Sequence, residues 1–104
     1  MGYNSDMLNL TPTQRRFLRA QAHGLRPIVM IGHSGLTDTV KKEIDSSLRF
    51  HELMKITLAG DDREARNQTL DVICNELNAA PVQQIGKILV IYRPAAEPKL
   101  TLPN

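Results

Sequence analysis

The amino-acid sequence predicts one domain of the α/β class, of the two-layer α+β type, with three helices packed on a mixed four-stranded sheet. Apolar residues recur at helical spacing in three segments and at strand spacing in four, in the order helix, strand, helix, strand, helix, strand, strand. A chain of 104 residues with 41% hydrophobic content can bury one core and hardly two. Right-handed crossovers are expected to make the first three strands parallel and the fourth antiparallel.

The first helix is predicted from its start signals. Thr11 can cap it, Pro12 suits the first helical position, and Gln14 stands where a capping box has Glu or Gln. We expect the helix to end at residues 23–24, His-Gly. The next run, 27–31, is apolar and β-branched, which predicts a strand covered on both faces.

A second helix and a second strand follow. Thr37 or Asp38 can cap the helix, and the strand over 53–59 alternates apolar with polar residues. The core stripe of the helix has a spacing of four, and two lysines are expected to turn away from it. The stripe residues are Val40, Ile44 and Leu48, and the lysines are Lys41 and Lys42.

The third helix and a hairpin complete the domain. Asp61 and Glu64 form a capping pattern, and an apolar stripe follows at Leu70, Ile73, Cys74 and Leu77. The segment 81–94 predicts two strands around Gly86-Lys87, the second apolar on both faces. We expect residues 1–7 to be flexible, 8–96 to form the domain and 97–104 to be an extended tail.

Charge is separated along the chain although the formal net charge is only +2. The segment 11–42 holds six basic residues and one acid, whereas 61–80 holds five acids and two bases. The six basic residues are Arg15, Arg16, Arg19, Arg26, Lys41 and Lys42. They flank a Gly-x-x-Gly turn, so a compact fold can gather several of them around it.

That turn, Gly32-His33-Ser34-Gly35, stands between a predicted strand and a predicted helix. Two interpretations are open. It can be a plain turn, which is the commoner case for so short a motif, or it can hold a phosphate on the unpaired amides of the helix start. It lacks the length and the lysine of a Walker A loop.

The sequence offers no catalytic site, metal site or cofactor motif. Adjacent loop side chains such as His33 and Ser34 diverge, and the segment is not a Gly-x-Ser-x-Gly elbow. Cys74 falls on an apolar stripe, which favours core packing over reactivity. Without a catalytic motif, we expect a protein that is not an enzyme. No apolar run approaches the length of a membrane span and no secretion signal is evident, so we expect a cytoplasmic protein.

Four blocks of the sequence, in order and at the expected spacing, resemble the bacterial YhbY family, single-domain members of the CRM (chloroplast RNA splicing and ribosome maturation) group. The resemblance covers Leu8 to about Pro103. The blocks are LTPTQRRFLRAQAHGLRPIVMIGHSGLTDTV, HELMKITLA, DDREARNQ and VQQIGKILVIYRP.

The resemblance implies a fold similar to the C-terminal domain of bacterial translation initiation factor three, with a loop comparable to that of KH domains. It also implies binding of RNA, notably of large-ribosomal-subunit precursors. The implied RNA-binding residues are Gly32, His33, Ser34, Gly35, Arg15, Arg16, Arg19, Arg26, Lys41, Lys42, Lys87 and Arg93. The first variable loop position often carries lysine in such proteins, and here it is histidine.

Two hypotheses from different classes remain. The leading one is an RNA-binding protein that holds phosphates at the Gly-x-x-Gly turn and the basic first helix, with little base stacking because Tyr92 is the only aromatic residue in a predicted strand. The alternative is a protein interaction module on ribosomal or assembly proteins, using an open sheet face or the apolar tail residues Leu100 and Leu102.

Overall fold

A computed structural model describes residues 9–103 and contains three α-helices and four β-strands. The helices are α1 (Pro12–Ala22), α2 (Asp38–His51) and α3 (Arg63–Leu77), and the strands are β1 (Pro27–Ile31), β2 (Leu53–Leu58), β3 (Ala80–Ile85) and β4 (Ile88–Tyr92). The predicted α/β class, the mixed four-stranded sheet and the order of elements are confirmed. The two-layer arrangement is wrong, because α1 packs on one face of the sheet and α2 and α3 pack on the other. The segment 1–7, expected to be flexible, lies outside the described residues.

The four strands form one sheet in the order β1-β2-β4-β3. β1 runs parallel to β2, and β4 runs antiparallel to both of its neighbours. The first three strands therefore share one direction, as predicted. The hairpin folds so that β4 lies between β2 and β3, which explains why a strand apolar on both faces is the last one in the chain.

Capping side chains set the starts of the helices. In α1 the Thr11 hydroxyl accepts from the Gln14 amide and the Gln14 side chain accepts from the Thr11 amide, each over 3.1 Å, so the predicted capping box is confirmed. Thr37 caps α2. The prediction for α3 is wrong by one residue, because Asp62 caps the helix and Asp61 instead pairs with a lysine of the hairpin turn.

Two apolar clusters stabilise the domain, one on each side of the sheet. The larger lies between the sheet and helices α2 and α3, and it contains the predicted stripe residues Ile44, Leu48, Leu70, Ile73 and Cys74. Burial raises the pKa of the Cys74 thiol to about 12, as suits a core residue. The smaller cluster lies under α1, where Leu18 and Ala22 pack on β2, β3 and β4.

β1 departs from its prediction. Val29 and Ile31 are buried towards α2, but Ile28 and Met30 are exposed. The strand lies at the edge of the sheet and α1 packs mainly on the other three strands. The prediction that both faces of β1 are covered is therefore wrong. An apolar run shows that a strand is hydrophobic, but it does not show whether a helix packs on each of its faces.

The chain after β4 forms no helix or strand up to residue 103, yet it packs against the domain. Leu100 and Leu102 lie on the α1 cluster. The buried carboxylate of Glu52, at the α2–β2 junction, accepts from the backbone amides of Ala95, Lys99 and Leu100 over 2.8–3.1 Å. The tail leucines are thus engaged within the chain, which contradicts the part of the alternative hypothesis that made them a docking element.

Both edge strands carry a proline near their start. The register of β1 against β2 shifts between Pro27 and Val29, and that of β3 against β4 shifts between Pro81 and Gln83. Proline lacks an amide donor and is tolerated in sheets mainly at edges and bulges. Among residues 9–103, no helix is both long and apolar enough to cross a membrane.

Candidate nucleic-acid interface

The Gly32–Gly35 turn joins the carboxyl end of β1 to the start of α2. Gly35 has a φ of +78°, a conformation that L side chains rarely adopt, so this glycine is required by the turn. Gly32 has no such φ, and a Cβ placed on it would meet no heavy atom within 4 Å. Neither the backbone conformation nor the local packing therefore requires glycine at position 32. A ligand that approaches the backbone closely would require it, because a side chain there would block the approach.

The turn leaves several amide groups without an acceptor. The amide of Gly35 donates to the carbonyl of Gly32 over 3.0 Å and closes the turn. The amides of His33, Ser34 and Leu36 have no acceptor among residues 9–103. These donors stand beside the positive end of the α2 dipole, which is a suitable place for an anion.

Lys87 lies at the same end of the sheet as the glycine turn. Its backbone carbonyl accepts from the amide of Leu58 over 2.8 Å, and its ammonium lies 3.0 Å from Asp61. The hydrogen bond from Lys87 lowers the pKa of Asp61. Both side chains are more than half exposed, so the ion pair is weak and Lys87 can exchange it for a phosphate.

Arg66 was not among the predicted site residues, although it lines the cleft between the glycine turn and the β2–α3 loop. It is 91% buried by surface area, and its guanidinium donates to the carbonyl of Gly60 over 3.3 Å. Its Nε has no partner among the described residues. Since Arg66 falls in the acidic part of the sequence, no pattern there separates it from the other charges of α3.

The arginines of α1 differ in how they are engaged. Arg16 and Arg19 are exposed and form no ion pair among residues 9–103. Arg15 is half-buried, and its Nε donates to the carbonyl of Pro81 over 3.4 Å. The helix buries Leu18, so the exposed charges stand on its outer side.

The lysines of α2 are separated in the same way. Lys41 forms an ion pair of 2.8 Å with Glu76 of α3, and this hydrogen bond raises the pKa of Lys41. Lys42 is exposed and has no ion pair in the described part of the chain. The expectation that both lysines turn to solvent is therefore right for Lys42. It is wrong for Lys41, because Glu76 of the neighbouring helix α3 pairs with it.

Arg26 and Arg93 lie away from the glycine turn. Arg26 precedes β1, about 20 Å from Gly32 when the rise of an extended strand is taken over the six intervening residue steps. Arg93 follows β4 and donates to the Asp45 carboxylate over 2.8 Å and to the Leu77 carbonyl over 2.9 Å. Arg93 thus links α2 to the end of α3, and this engagement removes it from the surface that we assign to a ligand.

The geometry places the glycine turn and Lys87 together at one end of the sheet. The exposed arginines of α1 lie on the side of the sheet that α1 covers. Arg26 lies in the loop before β1, and Lys42 lies on the first turns of α2. Such a surface, with loop amides at its end and unpaired cations along its side, is suited to a polyanion.

Comparison with known proteins gives relatives over most of the chain. Residues 10–93 match the model of the CRS1/YhbY (CRM) domain. An RNA-binding protein of Haemophilus influenzae is 47% identical over 98 residues, which cover 94% of this chain and 99% of the relative. A Pseudomonas aeruginosa protein, named a probable RNA-binding protein, is 35% identical and covers 91% of each chain.

A solved structure also matches. The solution structure of a hypothetical protein from Staphylococcus aureus aligns with a TM-score of 0.81 at 31% identity, covering 91% of this chain and all of that one. The family model spans all seven described helices and strands, from Leu10 before α1 to Arg93 after β4. This chain belongs to the CRS1/YhbY (CRM) domain family.

Proposed function

We propose that this protein binds RNA through the phosphate backbone, at the Gly32–Gly35 turn and the exposed arginines of α1. The observation that carries the proposal is the set Arg16, Arg19 and Arg26, which are exposed and without an acidic partner among residues 9–103. The loop amides without acceptors add donors at one end of this surface. The names of the Haemophilus and Pseudomonas relatives support RNA as the ligand.

The proposed RNA is ribosomal, in precursors of the large subunit. The resemblance of the four sequence blocks to the YhbY family supports this target. The sheet offers no exposed aromatic side chain for base stacking among residues 9–103, since Tyr92 is buried in it. Recognition by backbone and shape suits a large, folded RNA.

Binding is tested by the affinity of the whole protein for RNA as a function of salt. Three or four phosphate contacts predict a log-log slope of roughly −2 to −3 for single strands. Gly32→Asp places a charge beside the free loop amides and is expected to weaken binding strongly while the protein stays folded. Asn75→Asp, an isosteric change on exposed α3, adds the same charge as a control. Equal affinity of Gly32→Asp and Asn75→Asp at low salt would contradict the role of the loop.

The target is tested by sedimentation with ribosomal particles. The protein is expected to move with large-subunit precursors at low salt and to be released as salt rises. Gly32→Asp provides the matched control, and sedimentation of the variant at wild-type levels would argue for protein contacts in place of RNA.

A further inference from the structure

A row of four side chains crosses the sheet on the side that carries α1. Met30 pairs in register with Thr57, Thr57 with Ile88, and Ile88 with Ile85. Directly paired residues project from the same face of a sheet. Met30 points away from α2 because its neighbour Val29 is buried on the α2 side. We call Met30, Thr57, Ile88 and Ile85 the sheet row.

The two ends of the sheet row are uncovered. Met30 is 65% exposed and Ile85 is 53% exposed, while Thr57 and Ile88 are half-buried and Ile88 packs at the margin of the α1 cluster. Helix α1 packs instead on the cluster that contains Leu53 and Tyr92, a pair at the amino end of β2. The sheet row lies four residues further along β2, or about 13 Å away.

Polar groups suited to phosphate stand around the sheet row. Met30 lies two residues before Gly32 of the glycine turn, and Ile85 directly precedes the turn that contains Lys87. Lys55 lies two residues before Thr57 on β2 and therefore projects from the same face. An apolar surface thus has groups suited to anions at both ends, the loop amides at one and Lys87, which is paired with Asp61 in the free protein, at the other.

The charge of this side favours a polyanionic occupant. Between Asp6 and Asp38 the sequence contains four arginines and no acidic residue. The ligand that fits must present flat apolar groups at regular intervals along a chain of negative charge, and unpaired nucleic acid has this chemistry.

We propose that the sheet row receives the bases of unpaired RNA nucleotides whose phosphates contact the glycine turn and Lys55, so that the protein prefers single-stranded to duplex RNA. This inference rests on the proposed RNA binding. In a duplex the bases remain stacked inside the helix, and only the backbone contacts are available. The aliphatic side chains pack on any base, so little sequence preference is expected.

The test compares Met30→Ser/Ile85→Ser with the wild-type protein on two probes, an unstructured 12-nucleotide RNA and a 12-base-pair RNA duplex. Both positions are exposed, so the variant is expected to keep the wild-type melting temperature. The double variant is expected to bind the single strand about tenfold more weakly, from the loss of apolar contact at two sites. Affinity for the duplex and the salt slope are expected to stay unchanged.

Phe50→Ser/Val72→Ser is the matched control, because both residues are exposed and apolar but lie on α2 and α3. Wild-type affinity of Met30→Ser/Ile85→Ser for the single strand, with weakened binding by Gly32→Asp, would overturn the inference and leave the proposed function standing. An equal loss on both probes, or an equal loss in the control variant, would also overturn it. A wild-type protein that binds neither probe would overturn the proposed function as well.

A second measurement locates the bases directly. In a spectrum of ¹³C-methyl methionine, the Met30 signal is expected to shift on addition of the single strand, because ring currents of a stacked base act only at short range. The Met54 methyl, buried in the other cluster, is the internal reference. A Met30 signal that stays in place at saturating RNA contradicts the proposal.

Discussion

The two sides of the sheet treat their charges in opposite ways. On the α2–α3 side, several basic groups are paired within the protein, as in the Lys41–Glu76 and Arg93–Asp45 bridges, although Lys42 is not paired within the described residues. On the α1 side, Arg16 and Arg19 are exposed and form no ion pair among residues 9–103. The net charge of +2 therefore combines a side on which several cations are paired with a side on which, in the described part of the chain, the exposed arginines are not. Charge that a fold leaves unpaired on one side is available to a ligand.

The two sides also differ in how they are closed. The α2–α3 cluster is enclosed by two long helices, whereas the smaller α1 cluster also needs Leu100 and Leu102 of the tail. The Glu52 carboxylate holds that tail by accepting hydrogen bonds from three of its backbone amides. Glu52 has a φ of +62°, so these bonds also maintain an uncommon backbone conformation.

The largest expected effect is a loss of stability when the tail is released from the α1 cluster. Glu52→Ala leaves three backbone amides without their acceptor, and we expect it to lower the free energy of unfolding by about 3 kcal/mol. Urea unfolding measures the loss, and Glu43→Ala, at an exposed acid of α2, is the control. Hydrogen exchange is expected to rise more in α1 than in α2. A uniform rise in both helices would show that the two sides are not closed independently.

The same residue predicts a dependence on pH. Burial raises the pKa of the Glu52 carboxyl, but the three amides lower it by more, so the pKa lies below its usual value. A lowered pKa gives a stabilisation that is complete above about pH 4.5 and is lost as pH falls through the folded-state value. The melting temperature of Glu52→Gln is expected to fall less than that of the wild type between pH 6 and pH 3. Parallel curves would assign the acid sensitivity to other carboxyls.

The next effect is on binding by the basic side. Arg16→Glu/Arg19→Glu replaces two attractions by two repulsions, and we expect a loss of RNA affinity on the order of 100-fold at low salt, with a salt slope reduced by about 1.4. Arg49→Glu/Lys99→Glu makes the same change in charge at exposed positions near Arg93. Similar losses in both variants would mean that overall charge, and not the α1 side, determines affinity.

A smaller effect is expected at the two glycines of the turn between β1 and α2, where one substitution lowers stability and the other lowers RNA affinity. Gly35→Ala places a side chain at a φ of +78° and is expected to cost about 1 kcal/mol of stability. Gly32→Ala meets open space and is expected to leave stability unchanged while weakening RNA binding. Thermal unfolding and RNA titration of the two variants test this division, which fails if Gly32→Ala binds as the wild type does.

The smallest effect concerns His33. His33→Lys adds a positive charge to the loop, and at pH 8 we expect affinity to rise about threefold and the salt slope to grow by about 0.7. Ser46→Lys adds the same charge to an exposed position of α2. An equal gain in both variants would place the RNA backbone away from the loop.

The local features of the fold could be predicted because their causes are local. The Thr11–Gln14 capping box and the stripe of α3 depend on residues within one or two turns, and both are confirmed. The open face of β1 could not be predicted, since it depends on which strands α1 reaches. The capping residue of α3 was assigned wrongly because either Asp61 or Asp62 can cap a helix as far as the local sequence shows. The two differ only in the folded chain, where Lys87, 26 residues after Asp61, pairs with Asp61.

The candidate site shows the same limit. The sequence distinguishes basic from acidic segments, so it indicated the exposed arginines of α1. It does not show which cation meets an acid on another element, and for this reason Lys41 and Arg93 were grouped with Arg16 and Arg19. The burial of Arg66, whose Nε has no partner among residues 9–103, and the anchoring role of Glu52 have no local signature in the sequence, because both depend on how the chain packs.

The prolines of the two edge strands bear on how the molecule behaves at high concentration. An open edge normally invites a strand from another molecule, especially where apolar side chains such as Met30 and Ile85 lie close by. Pro27 and Pro81 each remove a donor and coincide with a shift of register, so neither edge offers a straight ladder for a second copy. We therefore expect the protein to resist stacking into fibres although it displays apolar residues beside its edges.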